Sequence, residues 1–275
     1  MEDKFIDIEK IIGSKNPRLL KTLPTFLLNY LKKTIHQEEI NQILAENKDK
    51  HDYDFCHDII ERFNITVKVH NEQNIVTEGG CIYVVNHPLG GMDAMAIVDA
   101  MHKYRKDIKF IVNDILLHLK NLQGLFVGVN KHGVNSKNSL QEVNDLFASD
   151  KAVFIFPAGL VSRKKKGKVA DLTWKKTFVT RARKFNKQII PVYLEGELTN
   201  FFYRLSNFRT AIGIKANIEM LYLAQELFKQ KNKTIDIVFG EPILPTVLKD
   251  GKSDQEWANK IKETVYSLKA AKYDS

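Results

Sequence analysis

The stretch Cys81-Ile82-Tyr83-Val84-Val85-Asn86-His87-Pro88-Leu89-Gly90-Gly91-Met92-Asp93-Ala94-Met95-Ala96-Ile97-Val98 reads as a buried strand, a glycine turn and the helix that follows it. His87 and Asp93 then flank one strand-to-helix junction, six positions apart. A neutral imidazole there can accept a proton while a carboxylate holds its other nitrogen and stabilises the cation that forms. The pair suits activation of a hydroxyl nucleophile. Gly90 and Gly91 lie between them, and backbone N–H groups of such a turn are candidate donors to a developing oxyanion.

Working outward, strand-like runs recur at 65–69, 82–85, 109–112, 125–129, 153–156, 189–194 and 235–239. Helix-length amphipathic stretches such as 139–148 and 172–185 lie between several of them, and 253–272 reads as a closing helix. Alternation of this kind predicts an α/β fold: a mostly parallel central sheet flanked by helices. Functional groups in such sheets sit beyond the strand ends. His87, Lys131 and the run from Ala158 to Arg163 each follow a strand, so they can converge at one edge.

Residues 1–62 lack the strand pattern and read as an N-terminal helical extension to a domain over 63–275. In the segment from Pro17 to Lys33, Leu19, Leu20, Leu23, Phe26, Leu27, Tyr30 and Leu31 recur at helical spacing, with Arg18, Lys21, Lys32 and Lys33 elsewhere. Pro24 should kink or divide this helix. A basic amphipathic segment can lie in an anionic bilayer interface, or it can pack on the core.

The 275 residues, 44% of them hydrophobic, can bury a substantial core. Cys56 and Cys81 have neither metal-ligand spacing nor a disulfide framework, which suits a reducing cytoplasm. The histidines are dispersed, so no metal site is expected. With no signal-like leader and no apolar run of about 18 residues, a membrane span is not expected either. The net charge of +9, from 42 basic and 33 acidic residues, favours an anionic partner. No helix-turn-helix, zinc-finger or RNA-binding aromatic motif points to nucleic acid.

Two further blocks accompany the first: Phe156-Pro157-Ala158-Gly159-Leu160-Val161-Ser162-Arg163 and Ile189-Ile190-Pro191-Val192-Tyr193-Leu194-Glu195-Gly196. In that order the three resemble the motif blocks of the glycerophospholipid acyltransferase superfamily. Gly124-Leu125-Phe126-Val127-Gly128-Val129-Asn130-Lys131 loosely matches another block, and Phe239-Gly240-Glu241-Pro242-Ile243 resembles a late one. The resemblance spans roughly residues 65 to 245. Two departures stand out. His87 and Asp93 are one residue farther apart than in the usual motif, a difference Gly90 and Gly91 can absorb. Ala158 stands where the common form has a glutamate that is thought to help hold glycerol phosphate, which points to a different acceptor. Within the superfamily the chain looks closest to the hemolysin-like branch of bacterial lyso-ornithine-lipid and related aminolipid O-acyltransferases.

That resemblance implies transfer of a long-chain acyl group from an acyl carrier protein or coenzyme A thioester to the hydroxyl of a lyso-aminolipid, such as lyso-ornithine or lyso-glycine lipid. No cofactor is implied. His87 and Asp93 become the catalytic pair, Ser162, Arg163 and Lys131 the acceptor-binding residues, and Gly90, Gly91 and Gly159 the turn and oxyanion candidates. An apolar tunnel for the chain would draw on 111–125 and 201–205. The implied location is cytoplasmic, peripheral on the inner face of the membrane. Acylation of lysophosphatidic acid is the nearest alternative, and a basic membrane-binding protein without catalysis is the non-enzyme one. A hydrolase would call for a Gly-x-Ser-x-Gly elbow, whereas Ser162 is flanked by Val161 and Arg163.

Overall fold

A computed structural model describes residues 6–113, 116–117, 119–129 and 137–271. The chain divides into two compact units, one from residues 51–197 and 231–275, the other from 1–50 and 198–230.

The larger unit is built on seven strands: β1 (Thr66–His70), β2 (Cys81–Val85), β3 (Ile108–Asn113), β4 (Phe126–Val129), β5 (Ala152–Ile155), β8 (Gln188–Leu194) and β9 (Thr234–Phe239). Their order across the sheet is β1-β9-β8-β2-β5-β3-β4. Every pairing is parallel except that of β8 with β9. The strands fall within a residue or so of the positions expected from the apolar runs.

β2 lies in the middle of this sheet, and all five of its residues are buried. Alternate side chains of a strand face opposite ways, and β2 uses both faces. Ile82 and Val84 enter a cluster with Val143 and Phe147 of α7 (Lys137–Ala148), Phe178 and Val179 of α8 (Thr177–Phe185), and Trp257, Ile261 and Val265 of α11 (Asp254–Ala271). Tyr83, between them, stacks on Phe154 of β5 at 4.4 Å and meets Phe239 of β9 edge-on. A continuous apolar run is what a strand covered on both faces demands. α6 (Gly91–Met101) follows β2 and packs against α5 (Asp52–Arg62). The late block closes β8: Ile243 exchanges both backbone bonds with Ile189, and Gly240 N–H donates to the Pro191 carbonyl.

One local expectation is corrected. The amphipathic stretch 172–185 becomes helical only at Thr177, because Asp171 and its neighbours are held otherwise: Trp174 Nε1 donates to Asp171 Oδ2, and Lys262 Nζ donates to the Asp171 and Leu172 carbonyls. The basic run after Ser162 forms an antiparallel hairpin of β6 (Arg163–Lys165) and β7 (Lys168–Ala170). Lys166 and Gly167 turn it with φ of 48° and 79°, the positive pair that a two-residue type I′ turn requires.

The smaller unit is helical: α1 (Ile8–Lys15), α2 (Pro17–Thr22), α3 (Thr25–Thr34), α4 (Gln37–Glu46), α9 (Asn200–Ala211) and α10 (Leu223–Phe228). Pro24 divides α2 from α3, as its missing N–H dictates. Residues 198–230 join the N-terminal helices in this unit, where the Tyr30 and Tyr222 hydroxyls bond at 2.7 Å. Glu226, fully buried, accepts from the Thr199 N–H and hydroxyl and so braces the start of α9. Among the described residues no helix is long and apolar enough to cross a membrane.

Candidate active site

β8, β2 and β5 are neighbours running in one direction, so their C-terminal ends emerge side by side, where open α/β sheets place their ligands. Asn86, the first residue past β2, locks two of these ends together. Its Nδ2 donates to the Leu194 carbonyl at 2.8 Å, and its Oδ1 accepts from the Leu194 N–H at 2.7 Å. Satisfied on both sides, this amide can be buried without penalty.

His87 comes next. Its Nδ1 lies 2.8 Å from Asp93 Oδ2, and Asp93 is fully buried in the first turn of α6. Both Asp93 oxygens also accept from the Leu89 N–H, at 3.1 and 3.0 Å. The turn between His87 and Asp93 passes through Gly90, where φ is 71° and ψ −129°, a conformation suited to glycine. Gly91 then opens α6. Burial pushes the Asp93 carboxyl above the usual carboxylate range, while the hydrogen bond and charge of His87 and the Leu89 N–H pull it back.

With Nδ1 engaged, His87 Nε2 has no protein partner among the described residues, and the side chain keeps 19% of its exposure. Phe156 stacks on the ring, centroids 4.2 Å apart and planes 22° apart. The imidazole is thus fixed by a carboxylate on one edge and an aromatic face beside it. It can take a proton at Nε2 and return it without changing its orientation.

The Phe156–Arg163 block reaches this junction through its backbone. Ser162 N–H donates to the His87 carbonyl at 2.8 Å, and Ser162 Oγ donates to Asp171 Oδ1 at 2.5 Å. Asp171 also accepts from the His87 N–H at 3.2 Å and from Trp174 Nε1 at 2.8 Å, and its own N–H donates to Tyr266 Oη at 2.7 Å. Burial, with the charge of Asp171, pushes the Tyr266 phenol well up. Asp171 is therefore the hub joining both loops to α11. No spacing or motif in the sequence singles it out.

Arg163 is buried, and its Nη1 donates to the Val161 carbonyl at 2.6 Å. Ala158 is buried in the core, and Gly159 turns the loop with φ of 64°. Lys131 lies outside the described residues. The structure thus gathers His87, Asp93, Gly90, Gly91, Ser162 and Arg163 around one junction.

Two cavities adjoin it. One of about 790 Å³ has Asn86, Pro88 and Ser162 on one side, Lys168 and Val169 of the hairpin on another, and Glu195, Gly196, Tyr266 and Lys269 beyond. The other, of about 360 Å³, lies against Phe156 and Gly159 and is walled by Ile111, Val129, Val143 and Phe147. Ile111 to Asn113 thus supply part of an apolar pocket, whereas residues 201–205 belong to α9 of the helical unit. Among the described residues no cluster of three or more His, Cys, Asp or Glu is arranged to hold a metal ion.

This arrangement coincides with a family likeness along the chain. The lyso-glycine lipid O-acyltransferase of Bacteroides thetaiotaomicron is 41% identical over 265 residues, covering 96% of this chain and 97% of that protein. The lyso-glycine lipid O-acyltransferase of Phocaeicola vulgatus is 39% identical over 265 residues, with 96% and 95% covered. Among solved structures, the 1-acyl-sn-glycerophosphate (LPA) acyltransferase PlsC from Thermotoga maritima aligns at a TM-score of 0.49 and 18% identity, over 88% of this chain and 95% of that one. The family model described as Acyltransferase matches residues 10–274, a span that takes in the helical unit as well as the sheet. With both units inside that match and a histidine–carboxylate pair at the strand ends, the chain belongs to this acyltransferase family and is an enzyme of acyl transfer.

Proposed function

We propose that the protein acylates the free hydroxyl of a lyso-glycine lipid, using a long-chain acyl thioester as donor. The observation that carries the mechanism is the His87–Asp93 pair at 2.8 Å, with no partner for Nε2 among the described residues. The acceptor hydroxyl donates to Nε2 and attacks the thioester carbonyl as its proton passes to the ring. Asp93, buried against Nδ1, accepts from the ring and favours the imidazolium that results. The tetrahedral oxyanion collapses, the C–S bond breaks, and the Nε2 proton goes to the departing thiolate. No covalent acyl-enzyme is needed. Backbone N–H groups at Gly90 and Gly91, in the turn between the pair, supply the developing charge with hydrogen bonds, whereas the Gly159 N–H, expected to share this role, already donates to the Phe156 carbonyl.

The acceptor assignment is supported by the names of the two bacterial relatives and by the neutral Ala158 within the Phe156–Arg163 block. The donor is acyl carrier protein or coenzyme A, both anionic and both suited to a chain of net charge +9. The enzyme works as a peripheral protein on the cytoplasmic face of the membrane. In support, among the described residues eight of the twelve large exposed hydrophobic side chains belong to the helical unit, Phe26, Tyr30, Phe208 and Ile212 included. Exposed apolar side chains interleaved with Lys32, Lys33 and Arg204 suit a lipid interface.

The test is a transfer assay with labelled acyl carrier protein or coenzyme A thioester, offering lyso-glycine lipid, lyso-ornithine lipid and lysophosphatidic acid side by side. Diacylated glycine lipid formed by the wild type and absent with His87→Ala is the expected result. Product on lysophosphatidic acid alone would overturn the acceptor assignment, and undiminished transfer by His87→Ala would overturn the mechanism.

A further inference from the structure

The cavity against Phe156 is apolar along Val129, Val143 and Phe147, yet Lys175 and Arg181 also line it, and among the described residues no carboxylate does. Arg181 projects from α8 with its guanidinium over the Phe147 ring, 5.6 Å from the centroid. Its Nη1 is buried and has no hydrogen-bond partner among the described residues. Burial pushes the Arg181 guanidinium below its ordinary value, with no acidic group to oppose that push. Lys175 Nζ stands on the same cavity beside the Gly159 turn, 3.9 Å from where a Cβ on Gly159 would be. A cationic nitrogen withdrawn from water without a partner is costly unless a ligand completes it. Phe156 forms a wall of this cavity and stacks on the His87 ring, so the cavity and the base share one aromatic side chain.

We propose that Arg181 and Lys175 form an anion subsite that takes the carboxylate head group of the acceptor while the acceptor's hydroxyl meets His87. This rests on the lyso-glycine reading above and deepens it into a reason for selectivity. In an N-(3-hydroxyacyl)glycine the hydroxyl and the carboxylate are separated by only a few bonds, and its alkyl tail requires an apolar wall next to both. A glycine head carries one negative charge and nothing else. An ornithine head adds an ammonium, which would meet two cations and no carboxylate, so the same lining that attracts the first disfavours the second.

Calorimetric titration of the full-length protein with N-lauroylglycine, its methyl ester and N-lauroylornithine tests the subsite without requiring turnover. The wild type should prefer the acid over both others by about tenfold or more. Arg181→Gln should erase that preference by weakening the acid alone, and Arg181→Lys should restore part of it. Arg181→Gln should melt close to the wild type, because the buried Nη1 it removes has no hydrogen-bond partner among the described residues. An unchanged preference in Arg181→Gln would overturn the proposal. In the transfer assay Arg181→Gln and Lys175→Gln should raise KM for the acceptor and leave KM for the donor alone; a rise in donor KM instead would assign the cations to donor phosphate and overturn it. Should the wild type bind N-lauroylglycine in an Arg181-dependent way but transfer nothing to lyso-glycine lipid, the subsite stands and the acceptor assignment falls.

Discussion

Ser162 and His87 are joined through the backbone, the Ser162 N–H donating to the His87 carbonyl at 2.8 Å, and Asp171 closes the link by accepting from the Ser162 hydroxyl and the His87 N–H. Ser162 therefore positions the loop that carries the base. Ser162→Ala removes one of these bonds and should cost about 1 kcal/mol of stability. Its kcat should fall while KM for the acceptor stays at the wild-type value. The opposite split, a raised KM with kcat unchanged, would place Ser162 against the acceptor instead.

Asp171→Ala should be far more damaging, because it strands the Ser162 hydroxyl, the His87 N–H and Trp174 Nε1 together. Loss of three acceptor contacts in a buried network corresponds to about 3 kcal/mol or more. Adding Ser162→Ala to that background should cost almost nothing further, since the two share one bond. Chemical denaturation of the single and double variants measures both values.

Asp93→Asn tests the dyad. The amide presents one acceptor where the carboxylate offers two, and it favours the imidazole tautomer with a proton already on Nε2. Turnover should drop by about 100-fold or more with the fold retained. Stability supplies a second readout. Because burial raises the Asp93 carboxyl above its unfolded value, its contribution to stability is complete below about pH 3.9 and is lost as pH rises through the folded pKa. The melting temperature of Asp93→Asn relative to wild type should therefore climb as pH goes from about 4 toward neutrality. A difference independent of pH would show that the Asp93 carboxyl titrates alike in the folded and unfolded chain, and would overturn the prediction.

Gly196→Ala is expected to act at a distance along the chain. A Cβ there would stand 2.6 Å from Leu89 Cγ, so the side chains cannot coexist without a shift. Leu89 holds Asp93 through its N–H, and moving it disturbs the carboxylate that orients His87. The variant should lose turnover by about tenfold or more with a modest fall in melting temperature, since overpacking costs about 1–3 kcal/mol. Full activity would mean that Leu89 can move without carrying its backbone along.

Membrane attachment has its own variants. Phe26 and Phe208 are 74% and 61% exposed, so Phe26→Glu and Phe208→Glu remove apolar contact with lipid and cost the fold little. Co-sedimentation with anionic vesicles should weaken for both, and melting temperatures should hold. Leu27 and Leu31 are less suitable probes, because both are half-buried. Undiminished sedimentation would remove the helical unit from the interface.

What the sequence determined by itself is local. Apolar runs such as Cys81–Val85 and Gln188–Leu194 specify strands because burial on both faces of a parallel sheet leaves no polar position. Pro24 divides a helix by chemistry that depends on no neighbour. His87 and Asp93 were legible because one glycine turn separates them. What lay beyond reach depends on strand order, which periodicity does not encode. The hairpin turn at Lys166 and Gly167 has only its glycine as a signal, because the basic run around it lacks the apolar alternation of a strand. Asp171 has no motif around it, and it meets the His87 N–H across 84 positions only because β2 and β5 end side by side. In the sequence Arg181 is one of 42 basic residues with no motif around it. Only packing could reveal that its Nη1 is buried unpaired against Phe147, since a helical stripe specifies which face is apolar and not which charge the fold encloses.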